Sequence, residues 1–218
     1  MSGEQVGATA PFRPPVPERA TIAGPVGPLE ALVETPAGFA GADCAVLCHP
    51  HPLYGGTMNN KVVHTTARAL QERGHATVRF NFRGVGASAG SFDDGRGETE
   101  DALAVVDWAC ARWPRAALTL AGFSFGAYVA FRAAGLRLAR RLITIAPPVR
   151  RFDFGTLAVP AAPWIVIQGD QDELVDHRAV LAWAQAVQPP PTIVLIAGAE
   201  HFFHGRLSDL RAAVQAHL

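Results

Sequence analysis

The sequence contains little cysteine, no excess of charge of either sign and no apolar run long enough to span a membrane. Its three cysteines, Cys44, Cys48 and Cys110, are an odd number at low density, which argues against a disulfide framework and fits a reducing compartment. The 19 Lys and Arg residues balance the 19 Asp and Glu residues, so no basic field indicates nucleic acid or anionic lipid. The N-terminus lacks the apolar core of a signal peptide. We therefore expect a cytoplasmic protein whose partner is a small molecule, and neither nucleic acid nor membrane.

The composition is that of one globular domain. Hydrophobic residues make up 49% of the 218 residues and charged residues 17%, which is enough apolar material for a sizeable core. Residues 1–18 are rich in proline and show no periodicity, so we expect a flexible arm there. Residues 19–218 are then expected to form the single domain.

The pattern of that domain is a hairpin followed by alternating strands and helices. Residues 19–38 read as two short strands around a Gly-Pro turn, and a helix that Asn59 or Asn60 caps follows the next strand. The later strands are apolar throughout, as strands covered by helices on both faces should be. We therefore predict an α/β fold with a mostly parallel sheet and an antiparallel strand at its start. The short stretch over residues 149–163 has no helical periodicity, so one crossover helix and any lid should be absent.

A serine stands between two glycines in the segment AGFSFGAYVAF, residues 121–131. Ser124 follows an apolar strand and precedes a helix, and this context makes G-x-S-x-G a candidate nucleophile elbow. Strand and helix nearly touch at such a turn, so side chains at Gly122 and Gly126 would collide. A serine at this place could also simply cap the helix.

A serine needs a base, and the base needs an acid to orient it. The loop IVIQGDQDELVD offers Asp170 and Asp172, and the later loop VLIAGAEHFFHG offers His201 and His204. Both loops follow strands, and open α/β sheets place their sites at the carboxyl ends of parallel strands. The residues alone leave either histidine as a candidate base and Asp170, Asp172 or Asp176 as a candidate acid, and each of these acids could instead cap the next helix.

Together these motifs resemble the α/β-hydrolases, in particular the small, lid-less serine hydrolases similar to dienelactone hydrolase. The resemblance covers residues 19–218 and implies the α/β-hydrolase fold. The family pattern G-x-x-D-x-x-V matches Gly169, Asp172 and Val175, which implies Asp172 as the acid. The family histidine directly follows the last strand, which implies His201.

The turn HPHPLYGG is similar to the H-G-x-P-L-x-G turn of related esterases, where a backbone N–H binds the oxyanion. The resemblance implies His51 as that donor and the amide of Phe125 as the second one. This sequence has Pro50 where the family has glycine. Since proline has no N–H, the residues themselves leave His51, Leu53 or Tyr54 as donors.

The expected activity is hydrolysis of a small ester or thioester through an acyl-enzyme, without cofactor or metal. Ser124 would attack the carbonyl, His201 would act as base and then acid, and Asp172 would orient the imidazole. Two other classes stay open. One is a non-catalytic ligand-binding protein of the same fold, and the other is a metal-dependent hydrolase using His49 and His51.

The segment GVGASA, residues 84–89, formally fits the dinucleotide-binding fingerprint. That fingerprint requires a helix to begin there, and the residues that follow read as a loop. A nucleotide-binding role is therefore not expected, and the turn is interpreted as architectural.

Overall fold

The computed structural model describes residues 12–218 and contains an eight-stranded sheet with five α-helices. The strands are β1 (Glu18–Gly24), β2 (Gly27–Glu34), β3 (Asp43–Cys48), β4 (Ala76–Phe80), β5 (Ala117–Phe123), β6 (Arg141–Ile145), β7 (Trp164–Gly169) and β8 (Thr192–Ile196). The helices are α1 (Lys61–Glu72), α2 (Arg96–Arg112), α3 (Phe125–Leu136), α4 (His177–Ala186) and α5 (Leu207–Gln215). Of the arm expected over residues 1–18, residues 1–11 lie outside the described part, and residues 12–17 belong to no helix or strand.

The sheet order is β1-β2-β4-β3-β5-β6-β7-β8. β1 pairs antiparallel with β2, and β2 pairs antiparallel with β4, whereas all later neighbours are parallel. The hairpin closes where Gly24 pairs with Gly27. The predicted fold class, a mostly parallel sheet with an antiparallel hairpin at its start, is confirmed.

Helices cover both faces of the sheet and divide the core into two clusters. The larger cluster packs α2, α3 and α4 against one face, with Phe80, Phe131 and Trp164 among its buried side chains. The smaller cluster packs α1 and α5 against the other face. Because the central strands are buried on both sides, their sequences show apolar runs rather than alternation.

The chain between β6 and β7, residues 146–163, contains no helix, as expected from its sequence. Two local features bear on the edge of the sheet that follows. β4 ends at Phe80, because the next residues leave the ladder: Phe82 donates its amide to the ring of His49. A short 3-10 turn, Pro52–Tyr54, also follows β3, and its first residue is a proline whose fixed φ suits the start of a helical turn.

The carboxyl ends of β3, β5, β7 and β8 lie along the same edge of the sheet because these strands are parallel. The loops leaving this edge carry His51, Ser124, Asp172 and His201. None of the helices over residues 12–218 is long and apolar enough to cross a membrane.

Candidate active site

Ser124 occupies a strained turn between β5 and α3. Its φ of 54° and ψ of −121° lie in a region that a serine rarely adopts. The flanking glycines permit this turn. A Cβ atom on Gly126 would collide with the carbonyl oxygen of Cys48, and one on Gly122 would collide with the carbonyl oxygen of Gly126. The close approach of strand and helix therefore explains the G-x-S-x-G spacing.

His201 connects Ser124 with an acid. Its Nε2 atom lies 3.2 Å from Oγ of Ser124, and its Nδ1 atom lies 2.9 Å from Oδ2 of Asp172. Because a carboxylate only accepts, Nδ1 carries the proton toward Asp172, and Nε2 is free to accept from the serine hydroxyl. This tautomer suits a base that removes the proton of Ser124.

Asp172 is held ionised by a set of donors. Oδ1 accepts the amides of Leu174 at 3.0 Å and Val175 at 2.7 Å, while Oδ2 accepts from Gln168 at 3.0 Å and from His201. Burial opposes ionisation, but the hydrogen bond and charge of His201, with the Val175 and Gln168 donors, lower the pKa of Asp172 below its ordinary value. The carboxylate is therefore fixed in place and charged at neutral pH.

The competing acids and the competing histidine serve other contacts. Asp170 accepts the amide of Gly198 at 2.6 Å, and Asp176 caps the start of α4. His204 is exposed and pairs with Glu200 on the surface. The structure thus brings Ser124, His201 and Asp172 together and leaves the other candidates outside the cluster.

Some backbone amides of the loop after β3 already have a hydrogen-bond acceptor within the protein, and others do not. The amide of Leu53 donates to Nδ1 of His51 at 3.3 Å, and that of Tyr54 donates to the carbonyl of His51 at 3.1 Å. The amides of His51 and Phe125 donate to no group among residues 12–218. Both residues line the cleft that contains Ser124, so these two amides remain available to a ligand there.

His49 has a structural role. Its Nδ1 atom donates to the carbonyl of Pro50 at 2.6 Å, and its Nε2 atom accepts the amide of Phe82 at 3.0 Å. Burial lowers the pKa of His49 to about 4, although the hydrogen bond to Pro50 opposes that shift. Both ring nitrogens are occupied, so His49 cannot pair with His51 as a metal ligand. Across the described part of the chain, no group of three or more His, Cys, Asp or Glu could hold a metal ion.

The fingerprint-like turn, residues 84–89, leads into a loop, and the next helix begins at Arg96. Arg83, the residue before this turn, anchors it to α2, because its guanidinium donates to the buried carboxylate of Asp101 at 2.8 Å. The hydroxyl of Ser88 donates to the carbonyl of Asn81 at 2.7 Å. These contacts support the architectural interpretation.

The cleft above Ser124 has a volume of about 910 Å³. One wall is the loop after β3, and another is the segment 146–163, whose Phe152 packs on Phe125 with ring centroids 5.3 Å apart. Arg151 of the same segment donates to the hydroxyl of Tyr54 at 2.9 Å. The sequence predicted only that this segment forms no lid. Its contacts with the β3 loop could not be predicted, because they depend on the three-dimensional fold.

The sequence also gave no prediction for Gln168. It is fully buried and donates to the carboxylate of Asp172. The available signal was a single polar residue in the otherwise apolar strand WIVIQG, four residues before Asp172. That signal does not by itself show which group the amide contacts.

The fold and the serine-centred cluster define the class of the α/β serine hydrolases. The model of the X-Pro dipeptidyl-peptidase (S15) family matches residues 29–158. The chain belongs to this family, and family and fold together make it a serine hydrolase. The matched region includes Ser124 and ends before Asp172 and His201.

Relatives of known structure agree with this assignment. An α/β serine hydrolase homologue from Coxiella burnetii is 48% identical, with a TM-score of 0.89 over 92% of this chain and 97% of that chain. An α/β serine hydrolase without a lid from Xanthomonas campestris is 49% identical, with a TM-score of 0.88 over 95% of each chain. A protein from Rickettsia prowazekii, compared by sequence alone, is 37% identical over 89% of this chain and 86% of its own length. The expected resemblance to small, lid-less serine hydrolases is confirmed.

Proposed function

We propose that the protein hydrolyses small esters or thioesters through an acyl-enzyme formed on Ser124. The observation that carries this proposal is the unbroken hydrogen-bonded series from Asp172 through His201 to Ser124, at 2.9 and 3.2 Å. Nucleophile, base and orienting acid are the groups that acyl transfer to a serine requires.

In the first half of the reaction, Oγ of Ser124 attacks the carbonyl carbon while Nε2 of His201 takes the hydroxyl proton. The negative charge on the tetrahedral intermediate is stabilised by the unpaired amides of Phe125 and His51, which serve as the oxyanion hole. The intermediate collapses to the acyl-enzyme, and His201 returns the proton to the departing alcohol or thiol.

In the second half, water takes the place of the alcohol. His201 removes a proton from the water as it attacks the acyl carbonyl, and then protonates Oγ of Ser124 as the acid product leaves. Asp172 stays ionised throughout, because its donors keep its pKa low despite burial. Its charge stabilises the imidazolium that forms in each half of the reaction.

The cleft supports a small substrate. The segment 146–163 contributes one wall but contains no helix that covers the serine. Because no helix of this segment closes over the cleft, the far end of a long acyl chain would stay in water, and each methylene left there lacks about 0.8 kcal/mol of burial. The proposed chemistry uses side chains and backbone amides alone and requires no cofactor.

The test is hydrolysis of 4-nitrophenyl acetate by the wild type, by Ser124→Ala and by the control Ser208→Ala. Ser208 lies on the exposed side of α5, away from the cleft. We expect Ser124→Ala to lose roughly 10⁴-fold or more in kcat and the control to match the wild type. Unchanged turnover in Ser124→Ala would refute the proposal.

Cleavage of Xaa-Pro peptides is a second candidate, favoured by the family match over residues 29–158. It would use the same serine, so the two activities differ in the substrate that the cleft accepts. Ester hydrolysis is preferred because an ester has a better leaving group than an amide, so the serine, its base and the two amides suffice without further groups that recognise a peptide. Turnover of an Xaa-Pro 4-nitroanilide that is lost in Ser124→Ala would favour the peptidase, and turnover of 4-nitrophenyl acetate without any turnover of the anilide would favour the esterase.

A further inference from the structure

Gln168 combines complete burial with an unsatisfied polar atom. It is 0% exposed near the end of β7, where the rest of the strand is apolar. Its Oε1 atom has no hydrogen-bond partner among residues 12–218. A buried polar atom without a partner destabilises a fold, so its presence at this position requires an explanation.

The orientation of the amide follows from its neighbours. Nε2 of Gln168 lies 3.0 Å from Oδ2 of Asp172 and 3.2 Å from the carbonyl oxygen of Gly169. A carboxylate and a carbonyl only accept hydrogen bonds, so the NH₂ group must face them. The oxygen then points away and stays unpaired, because the reverse orientation would set it against two acceptors.

The hydrogen bond from Gln168 reaches Oδ2 of Asp172, which is the carboxylate oxygen that also bonds His201. Oδ2 accepts from both Gln168 and Nδ1 of His201, whereas Oδ1 accepts only backbone amides. Within the described residues, Gln168 is the one side chain other than His201 that donates to this carboxylate. It therefore shares the negative charge of Oδ2.

We propose that Gln168 is a positioning residue that acts through Asp172: the amides of Leu174 and Val175 hold the carboxylate by Oδ1, and Gln168 shares the negative charge of Oδ2 and so moderates the charge that the imidazole experiences. This role rests on the proposed catalytic use of His201. Without the donor, Oδ2 would present more of its charge to the imidazolium and favour protonation of His201. The base would then be protonated, and inactive, up to a higher pH.

Other charged and titratable groups line the cleft or stand in the loops next to His201, and the substitution of Gln168 changes none of them. They come from the loop after β3, the loop after β7, the loop of His201, α4 and the segment 146–163, and are His51, Asp170, Glu173, Asp176, His177, Glu200, His204, Arg150 and Arg151. Among them Glu173 is directly bonded to the His201 loop, where it accepts the amide of His201 at 3.2 Å. Their effects cancel when variant and wild type are compared.

The experiment compares kcat/KM for 4-nitrophenyl acetate between pH 5 and 9 in the wild type, Gln168→Met and Gln71→Met. Gln71 is a matched control, since it is also buried but donates to Thr77 in another part of the fold. We expect the acid limb of Gln168→Met to move up by about 0.5 to 1 pH unit and its plateau to fall less than about tenfold. The control should keep the wild-type limb. An acid limb of Gln168→Met that superimposes on the wild type would overturn the proposal.

Titration of the histidine ring nitrogens by NMR gives a second measurement that needs no activity. The midpoint for His201 should move up by the same amount in Gln168→Met and in Gln168→Leu, and should not move in Gln71→Met. This result separates the two proposals, because it can be obtained even if ester hydrolysis fails.

In an Asp172→Asn background, Gln168→Met should cause no further shift of the His201 midpoint. A persisting shift would show that Gln168 does not act through Asp172.

Discussion

Nε2 of His201 lies 3.2 Å from Oγ of Ser124, although 77 residues separate the two along the chain. Three residues after His201, His204 instead pairs with Glu200 at the surface. The two histidines of one loop therefore differ in environment. His201 is buried next to the candidate nucleophile, and His204 is exposed to solvent.

This difference predicts opposite results for the two histidines. His201→Ala should lower kcat by several orders of magnitude, because Ser124 loses its base, while His204→Ala should retain near wild-type turnover. Asp172→Asn should cost less than His201→Ala. Steady-state rates with a short nitrophenyl ester measure all three variants. An inactive His204→Ala beside an active His201→Ala would show that the histidine assignment is wrong.

His51 is expected to act through its backbone. His51→Ala keeps the N–H, so most activity should remain, within about tenfold of the wild type. His51→Asn should do at least as well, because its side-chain oxygen can still accept the amide of Leu53 as His51 Nδ1 does. A collapse of kcat in both variants, with circular dichroism unchanged, would instead indicate a role for the imidazole.

The open cleft predicts a preference for short acyl groups. Rates for nitrophenyl esters from acetate to palmitate should be highest at the short end, because about 0.8 kcal/mol per methylene is not recovered by burial. Since no helix in the segment 146–163 has to move, the rate should show no jump when the substrate aggregates. An optimum at long chains, or a sharp increase at the aggregation threshold, would contradict the open-cleft account.

His49 makes the stability of the fold depend on pH. Burial lowers its pKa to about 4 from an ordinary value of 6.5. Between these pH values the unfolded chain binds a proton that the folded chain does not, so the free energy of unfolding falls as the pH drops from about 6.5 toward 4. The complete loss from this group is roughly 3 kcal/mol.

Urea unfolding at pH 7.5 and 4.5 measures most of that loss, because the lower pH lies just above the folded-state pKa of about 4. His49→Gln should show a smaller difference between the two pH values than the wild type, and the exposed control His204→Gln should not. Burial also lowers the pKa of His51, His64 and His75, so part of the slope will remain in the variant. If the unfolding free energy of His49→Gln fell with pH as much as that of the wild type, the loss could not be assigned to the imidazole of His49.

Sequence patterns predicted the alternation of strands and helices because apolar runs and glycine positions are local. They also placed a serine, acids and histidines at strand ends in order. Without the family pattern G-x-x-D-x-x-V, which implied Asp172, the residues alone could not separate Asp170 from Asp172, because that choice depends on the contact of Asp170 with the amide of Gly198, 28 residues away. The role of Gln168 could not be predicted for the same reason, because its hydrogen bond to Asp172 forms only in the folded loop.

Labelling with a serine-directed fluorophosphonate tests the central claim most directly, because it detects an activated serine without assuming a substrate. If Ser124 is the activated nucleophile, one adduct per chain is expected, located on Ser124 by mass spectrometry of the digested protein. Labelling should disappear in Ser124→Ala, slow strongly in His201→Ala and stay unchanged in Ser208→Ala. No labelling of the folded wild type, or an adduct on a different serine, would contradict the account and favour a non-catalytic binding protein or another nucleophile.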